Sequence, residues 1–182
     1  MEVLKEHWLE ELVANCQRKQ VGVVGAKIYA SNRTVQHAGM IVGMNGVAGN
    51  LFVGLPRSYS GYLHKADLQQ NLSAVCGACM MVKRSVYEAV GGFSESLAGA
   101  FYDVDFCLKV RQRGFLVVYD PYVELLSHVA VKSSESECSY TESEKFQKAT
   151  AYMKKQWPEI FEVGDPMYNP NFSLEKGDYS LK

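Results

Sequence analysis

Residues 21–29 run Val-Gly-Val-Val-Gly-Ala-Lys-Ile-Tyr, a β-branched apolar stretch broken only by small residues and a lysine. It is too short for a bilayer span, which takes ~20 apolar residues, and reads as a buried strand. Such a strand needs a covering layer on each face. Its glycines, Gly22 and Gly25, imply that something packs very close to the backbone. The preceding segment, Lys5 to Arg18, spaces Trp8, Leu9, Leu12, Val13 and Cys16 at helical intervals and forms an amphipathic helix. Helical and extended segments keep alternating downstream, which places the chain in the α/β class.

The chain has 182 residues, one domain or a large piece of one. Hydrophobic residues make up 47%, enough for a core and too many for disorder over the whole length. The formal net charge of -1 argues against nucleic acid as a partner, which would need a basic face. The start, Met1 to Trp8, is charged and has no signal-peptide core, so a soluble, cytoplasmic chain is expected, including at the inner face of a membrane. Five scattered cysteines, Cys16, Cys76, Cys79, Cys107 and Cys138, do not suggest a disulfide framework. Cys76-Gly77-Ala78-Cys79 has the form of a redox pair or half a zinc site. No second ligand pair follows it, and its apolar flanks favour small cysteines in a packed strand.

Several further elements are expected. Met40-Ile41-Val42 reads as a short strand inside a glycine-rich, aromatic loop from His37 to Gln70. Leu72 to Lys83 reads as one strand. Ser85 with Glu88 reads as the capping box of a short helix that ends at Gly91-Gly92. Phe101 to Arg113 is a helix, and Phe115 to Tyr119 is a strand closed by Asp120-Pro121. A second extended piece covers Val123 to His128, and Ser133 to Cys138 is a polar loop. Glu142 to Trp157 is a last amphipathic helix, followed by an irregular tail. No strand, glycine-rich turn and helix opens the chain, as a nucleotide-binding sheet normally would.

The strongest local signal is Phe101-Tyr102-Asp103-Val104-Asp105-Phe106, two carboxylates at a helix start. Free N–H groups and the macrodipole favour their ionised form there, which suits a base and a helper. Plain capping is the commoner use of aspartate at that place, so both readings stand on spacing alone. His128, at the end of an apolar run, suits a metal ligand or a base; a hydrogen-bonded, half-buried histidine is the commoner case. His7, His37 and His64 are individually uninformative. Asn171-Phe172-Ser173 has the form of a glycosylation sequon but lacks a secretory context.

Taken together, several runs resemble family-two glycosyltransferases of bacterial polysaccharide synthesis. They are Val21 to Tyr29, Val35-Gln36-His37-Ala38-Gly39, Ser73 to Arg84, Val90-Gly91-Gly92-Phe93-Ser94-Glu95, Tyr102 to Val110, Gly114-Phe115 and Leu126-Ser127-His128. The resemblance extends over roughly Glu2 to Lys132. It implies the C-terminal, acceptor-side part of a GT-A-type mixed sheet flanked by helices, with the N-terminal nucleotide-binding half absent. Residues 1–135 would be the acceptor and catalytic half, and residues 136–182 a C-terminal helix and irregular tail packed on it. Glu2 matches the last acidic residue of the family's DxD-type metal motif, and His128 matches a histidine on the metal or diphosphate. Asp103 takes the place of the general base. Tyr102 stands where glutamate is usual, which leaves Asp105 as a secondary candidate. Gly77, Ala78 and, beside them, Cys79 match the segment next to donor sugar and acceptor.

The resemblance further implies inverting transfer from a nucleotide-diphospho-sugar to a glycan or lipid-linked acceptor hydroxyl, assisted by magnesium or manganese. The isolated chain is then expected to be inactive, to bind metal and donor weakly, and to self-associate through exposed sheet edges such as that of Val21 to Tyr29. The alternative is a carbohydrate-binding or scaffold module without catalysis, using Phe52, Tyr59, Tyr62 and Tyr122 to stack on sugars.

Overall fold

A computed structural model describes residues 1–97, 99–129 and 144–182. In chain order the elements are β1 (Glu2–Val3), α1 (Trp8–Cys16), β2 (Val21–Tyr29), β3 (Val35–His37), β4 (Met40–Val42), β5 (Ala48–Asn50), β6 (Gln70–Leu72) and β7 (Met80–Val82). There follow α2 (Arg84–Ala89), α3 (Tyr102–Gln112), β8 (Leu116–Leu126), α4 (Glu144–Gln156) and α5 (Pro158–Val163). The expected loop at Ser133 to Cys138, the start of the last helix at Glu142 and the boundary between residues 135 and 136 lie outside the described residues.

Two parallel strands, β2 and β8, form the centre of a mixed sheet. β6 and β1 pair with the outer side of β8, and β7 and β3 with the outer side of β2, all antiparallel. Along β2, alternate residues face opposite layers, as a pleated strand requires. Val24, Ala26 and Ile28 meet Leu12 and Cys16 of α1. Val23 and Tyr29 join the larger core on the other face, with Val104, Cys107 and Val110 of α3. Every residue of β2 is buried. It is a central strand, so it offers no open edge, contrary to the expectation for Val21 to Tyr29.

The expected strand from Leu72 to Lys83 is two short strands. β6 lies beside β8 and β7 beside β2, so residues 73–79 cross the face of the two central strands to connect them. The glycines of β2 explain how close this packing is. A Cβ on Gly25 would lie 2.4 Å from Val75 Cβ, and one on Gly22 would lie 2.4 Å from Val110 Cγ1 and 2.8 Å from Phe115 Cβ. Gly25→Ala is therefore expected to lower stability by about 1–3 kcal/mol through overpacking. An unshifted denaturant midpoint would contradict this account of the crossing.

The expected break at Asp120-Pro121 is a bulge inside one long strand, β8. The register with β2 jumps from Ala26↔Asp120 to Lys27↔Glu124, so residues 121–123 have no partner in β2. Pro121, which has no N–H to donate, sits in that unpaired stretch. Asp120 does not close the strand but faces α1, where it accepts a hydrogen bond from Asn15 Nδ2 at 2.7 Å.

The short helix α2 starts at Arg84 after Lys83, with no side-chain cap, so Ser85 lies inside it and no capping box forms. Glu88 instead pairs with Arg84 Nε at 2.8 Å. The tail is more ordered than its sequence suggests. Proline at its first turn starts α5, and Tyr168, Phe172 and Tyr179 pack with Phe52 and Tyr62 into one aromatic cluster. Phe52 is buried within that cluster and does not present a stacking face to a sugar; Tyr59, Tyr62 and Tyr122 are exposed.

Candidate active site

The crossing segment, residues 73–79, is fixed along its length. Met40 N–H donates to Ala74 O at 3.0 Å, and the Cys107 thiol of α3 donates to Val75 O at 3.9 Å. Cys76 N–H donates to His37 Nε2 at 3.2 Å, and Gly77 N–H to Asp103 Oδ2 at 2.8 Å. Ala26 N–H donates to Cys79 O at 3.3 Å. At the near end, the Ser73 hydroxyl donates to Asp165 and receives a hydrogen bond from Arg111.

Asp103 is the second residue of α3, where the helix dipole and free N–H groups favour a carboxylate. Oδ1 accepts Val104 N–H at 2.9 Å, and Oδ2 accepts Gly77 N–H. A carboxylate oxygen has room for a second partner, so each keeps an accepting site. The helix is entered through Phe101 in the left-handed region, at φ 59°, a costly conformation for a residue with a side chain. The Phe101 ring packs on Phe146 of α4, with centroids 5.1 Å apart.

Tyr102 covers Gly77. A Cβ at Gly77 would lie 2.6 Å from Tyr102 Oη, so only glycine fits beneath the ring. Burial, and then the charge of Asp103, push the Tyr102 hydroxyl above the ordinary phenol range. Ala78, the next residue, is exposed. Burial raises the Cys76 thiol to about 11 and also raises Cys79, so neither is a ready thiolate.

Asp103 is buried, only 9% exposed, and Asp105 is buried completely but has different partners: it accepts hydrogen bonds from Ser94 Oγ at 2.7 Å and Trp157 Nε1 at 2.9 Å, with Lys109 Nζ paired at 2.8 Å. These contacts tie the start of α3 to the end of α4 and to the loop before α3.

Glu2 and His128, far apart in sequence, meet because β1 pairs with the end of β8 in the register Glu2↔Leu126. His128 Nε2 lies 3.1 Å from Glu2 Oε2, and both side chains are exposed. Among the described residues no group of three or more His, Cys, Asp or Glu could hold a metal. One carboxylate and one imidazole do not make a protein-only cation site. The pair fits part of a coordination shell completed by phosphate oxygens and water: the carboxylate is a usual ligand of magnesium or manganese, and the imidazole is a ligand of transition metals.

Residues that the sequence did not single out complete the surroundings. His37 is buried, and burial holds its imidazole below the ordinary range, although Asn50 and Asp103 pull the other way. Its place in Gln36-His37-Ala38-Gly39, within the resembling runs, was the available signal. Asp165 accepts Val42 N–H and Met167 N–H, each at 2.8 Å. Glu124 receives Lys5 Nζ and Tyr29 Oη, each at 3.3 Å, together with Arg57. Buried Lys27 pairs with Asp67 at 2.9 Å. Burial comes first, and the Glu124 charge second, in pushing the Tyr29 hydroxyl far above its ordinary value. These pairs hold the long loop before β6 against the two central strands, and no local pattern foretells partners this distant.

Comparison with known proteins gives the chain its family. The chain is 42% identical over 182 residues to the uncharacterized protein y4gI of Sinorhizobium fredii, covering 100% of this chain and 20% of that protein. It is 35% identical over 183 residues to the O-antigen biosynthesis protein RfbC of Myxococcus xanthus, covering 100% of this chain and 14% of that protein. A shorter match, 36% over 64 residues, covers 35% of this chain and 21% of N-acetylglucosaminyl-diphospho-decaprenol L-rhamnosyltransferase of Mycobacterium tuberculosis. The chain thus spans a fifth or less of the two relatives that it matches end to end. The model of one family, described as glycosyltransferase-like family 2, matches residues 2–157. With most of its length inside that match, the chain belongs to glycosyltransferase-like family 2.

Proposed function

We propose that these residues form the acceptor side of an inverting sugar transferase of GT-A architecture, which works with a nucleotide-binding part outside them. The observation that supports this most is Asp103, a carboxylate at a helix start held against the backbone of Gly77 with accepting sites to spare. An acceptor hydroxyl is a poor nucleophile near neutral pH, and a carboxylate within hydrogen-bond reach takes its proton as attack proceeds. The acceptor oxygen forms a bond to the anomeric carbon, and the bond from that carbon to the diphosphate oxygen breaks. The bonding pair leaves with the diphosphate, and the proton stays on Asp103. A single displacement of this kind inverts the anomeric configuration.

Tyr102 covers Gly77 and, with the exposed Ala78 next to it, walls the place where a sugar would sit. Magnesium or manganese, held in part by Glu2 and His128, would offset charge on the diphosphate. Asp105, with its buried partners, positions the helix that presents Asp103. The relatives' names support glycan synthesis, with a glycan or lipid-linked acceptor, and that setting suits the cytoplasmic face of a membrane. No helix among the described residues is long and apolar enough to cross a membrane. The test is to incubate the full-length protein with a panel of nucleotide sugars and determine the anomeric configuration of the product. Inversion is expected, and retained configuration would overturn the single-displacement reading.

A further inference from the structure

His37 is a polar side chain in a place where packing alone would accept an apolar one, since it is only 2% exposed within the core beside β4 and β5. Its hydrogen bonds determine its tautomer. Nδ1 lies 2.7 Å from Asn50 Oδ1, an oxygen that can only accept, so Nδ1 bears the hydrogen. Nε2 faces two backbone donors, Gly39 N–H at 3.3 Å and Cys76 N–H at 3.2 Å, so Nε2 has the free lone pair. A proton on Nε2 would set a donor against two donors. Burial, which keeps the ring neutral, acts in the same direction as this geometry.

The bond to Cys76 matters because of the residue that follows. Consecutive amides of the crossing segment are divided between two side chains, Cys76 N–H going to His37 and Gly77 N–H to Asp103. We infer that His37 is a positioning residue of the sugar-transfer site: its neutral imidazole anchors the crossing segment at Cys76 and so sets where Gly77 meets Asp103. It touches neither donor nor acceptor. This inference rests on the proposed transfer reaction only for its kinetic consequence.

Two substitutions separate positioning from simple core filling. In His37→Asn the short amide can still reach Asn50 but leaves Cys76 N–H without its acceptor. In His37→Gln the longer amide can place an oxygen where Nε2 stood. In the full-length protein, His37→Asn is expected to lower kcat by about 10–100-fold, the scale of a small misplacement of reacting groups, with KM for the donor nearly unchanged. Exchange of the Cys76 and Gly77 amides should accelerate, and His37→Gln should recover most of kcat. Equal losses in the two variants, or an undiminished kcat in His37→Asn, would overturn the inference. Either variant can fail to fold, so the wild-type protein supplies a second reading from the imidazole nitrogen resonances. Nε2 should be unprotonated and Nδ1 protonated at about pH 7, and the reverse would overturn the inference whatever the variants do. Failure of the transfer reading shows separately, as full activity in a variant lacking the Asp103 carboxylate.

Discussion

Asp103→Asn in the full-length protein is expected to lower sugar transfer by roughly 10²–10⁴-fold, the range that a positioned general base contributes. The substitution is nearly isosteric, and the amide oxygen can still accept either Val104 N–H or Gly77 N–H, so the fold should survive. The lost property is basicity. An amide cannot take the proton of an attacking hydroxyl, while donor binding, made elsewhere, should persist. The other of those two N–H groups then faces the amide NH2, so unfolding should shift by about 1–3 kcal/mol, the cost of one buried donor left without its acceptor. Turnover at the wild-type rate would end the assignment of Asp103 as base. A loss of turnover matched by unfolding would show a structural role in its place.

Asp165→Ala is expected to cost about 3–5 kcal/mol, because it removes a buried acceptor shared by several donors. Val42 N–H, Met167 N–H and the Ser73 hydroxyl would lose their partner together, and Arg111, bonded to the same hydroxyl, would lose a nearby countercharge. A loss of that size is a large part of the ~5–15 kcal/mol that holds a typical domain folded. Asp165→Asn, which keeps one accepting oxygen, should be markedly milder. Denaturant unfolding of the three proteins tests this; a change below ~1 kcal/mol in the alanine variant would mean that water replaces the carboxylate.

Elements with a strong local pattern were legible in the sequence. The nine residues of β2 declare themselves by β-branching and its glycines by the need for close packing, which Val75 and Val110 explain. The α3 helix is legible because its carboxylates and its apolar face share one short run. What escaped depends on distant partners. Leu72 to Lys83 is evenly apolar, yet it is split because its two ends pair with different strands. Asp120-Pro121 is a common strand-ending signal, overridden here by a bulge that keeps pairing on either side. At the site, the helix start marked Asp103 as a candidate, with capping the commoner reading, and the resemblance gave it the place of the base. His37 and Asp165 could not be singled out, because their importance lies in amides 39 and 123 residues away.

The crossing of residues 73–79 has a mechanical consequence. Its two ends are stitched to opposite sides of the central strand pair, one through β6 to β8 and the other through β7 to β2. Any slip of those two strands past one another must pull on the bridge between them, and Gly77 rides on that bridge. Stiffness of the sheet and constancy of the seat of Gly77 beneath Tyr102 are therefore one mechanical property, set by the seam between two neighbouring strands.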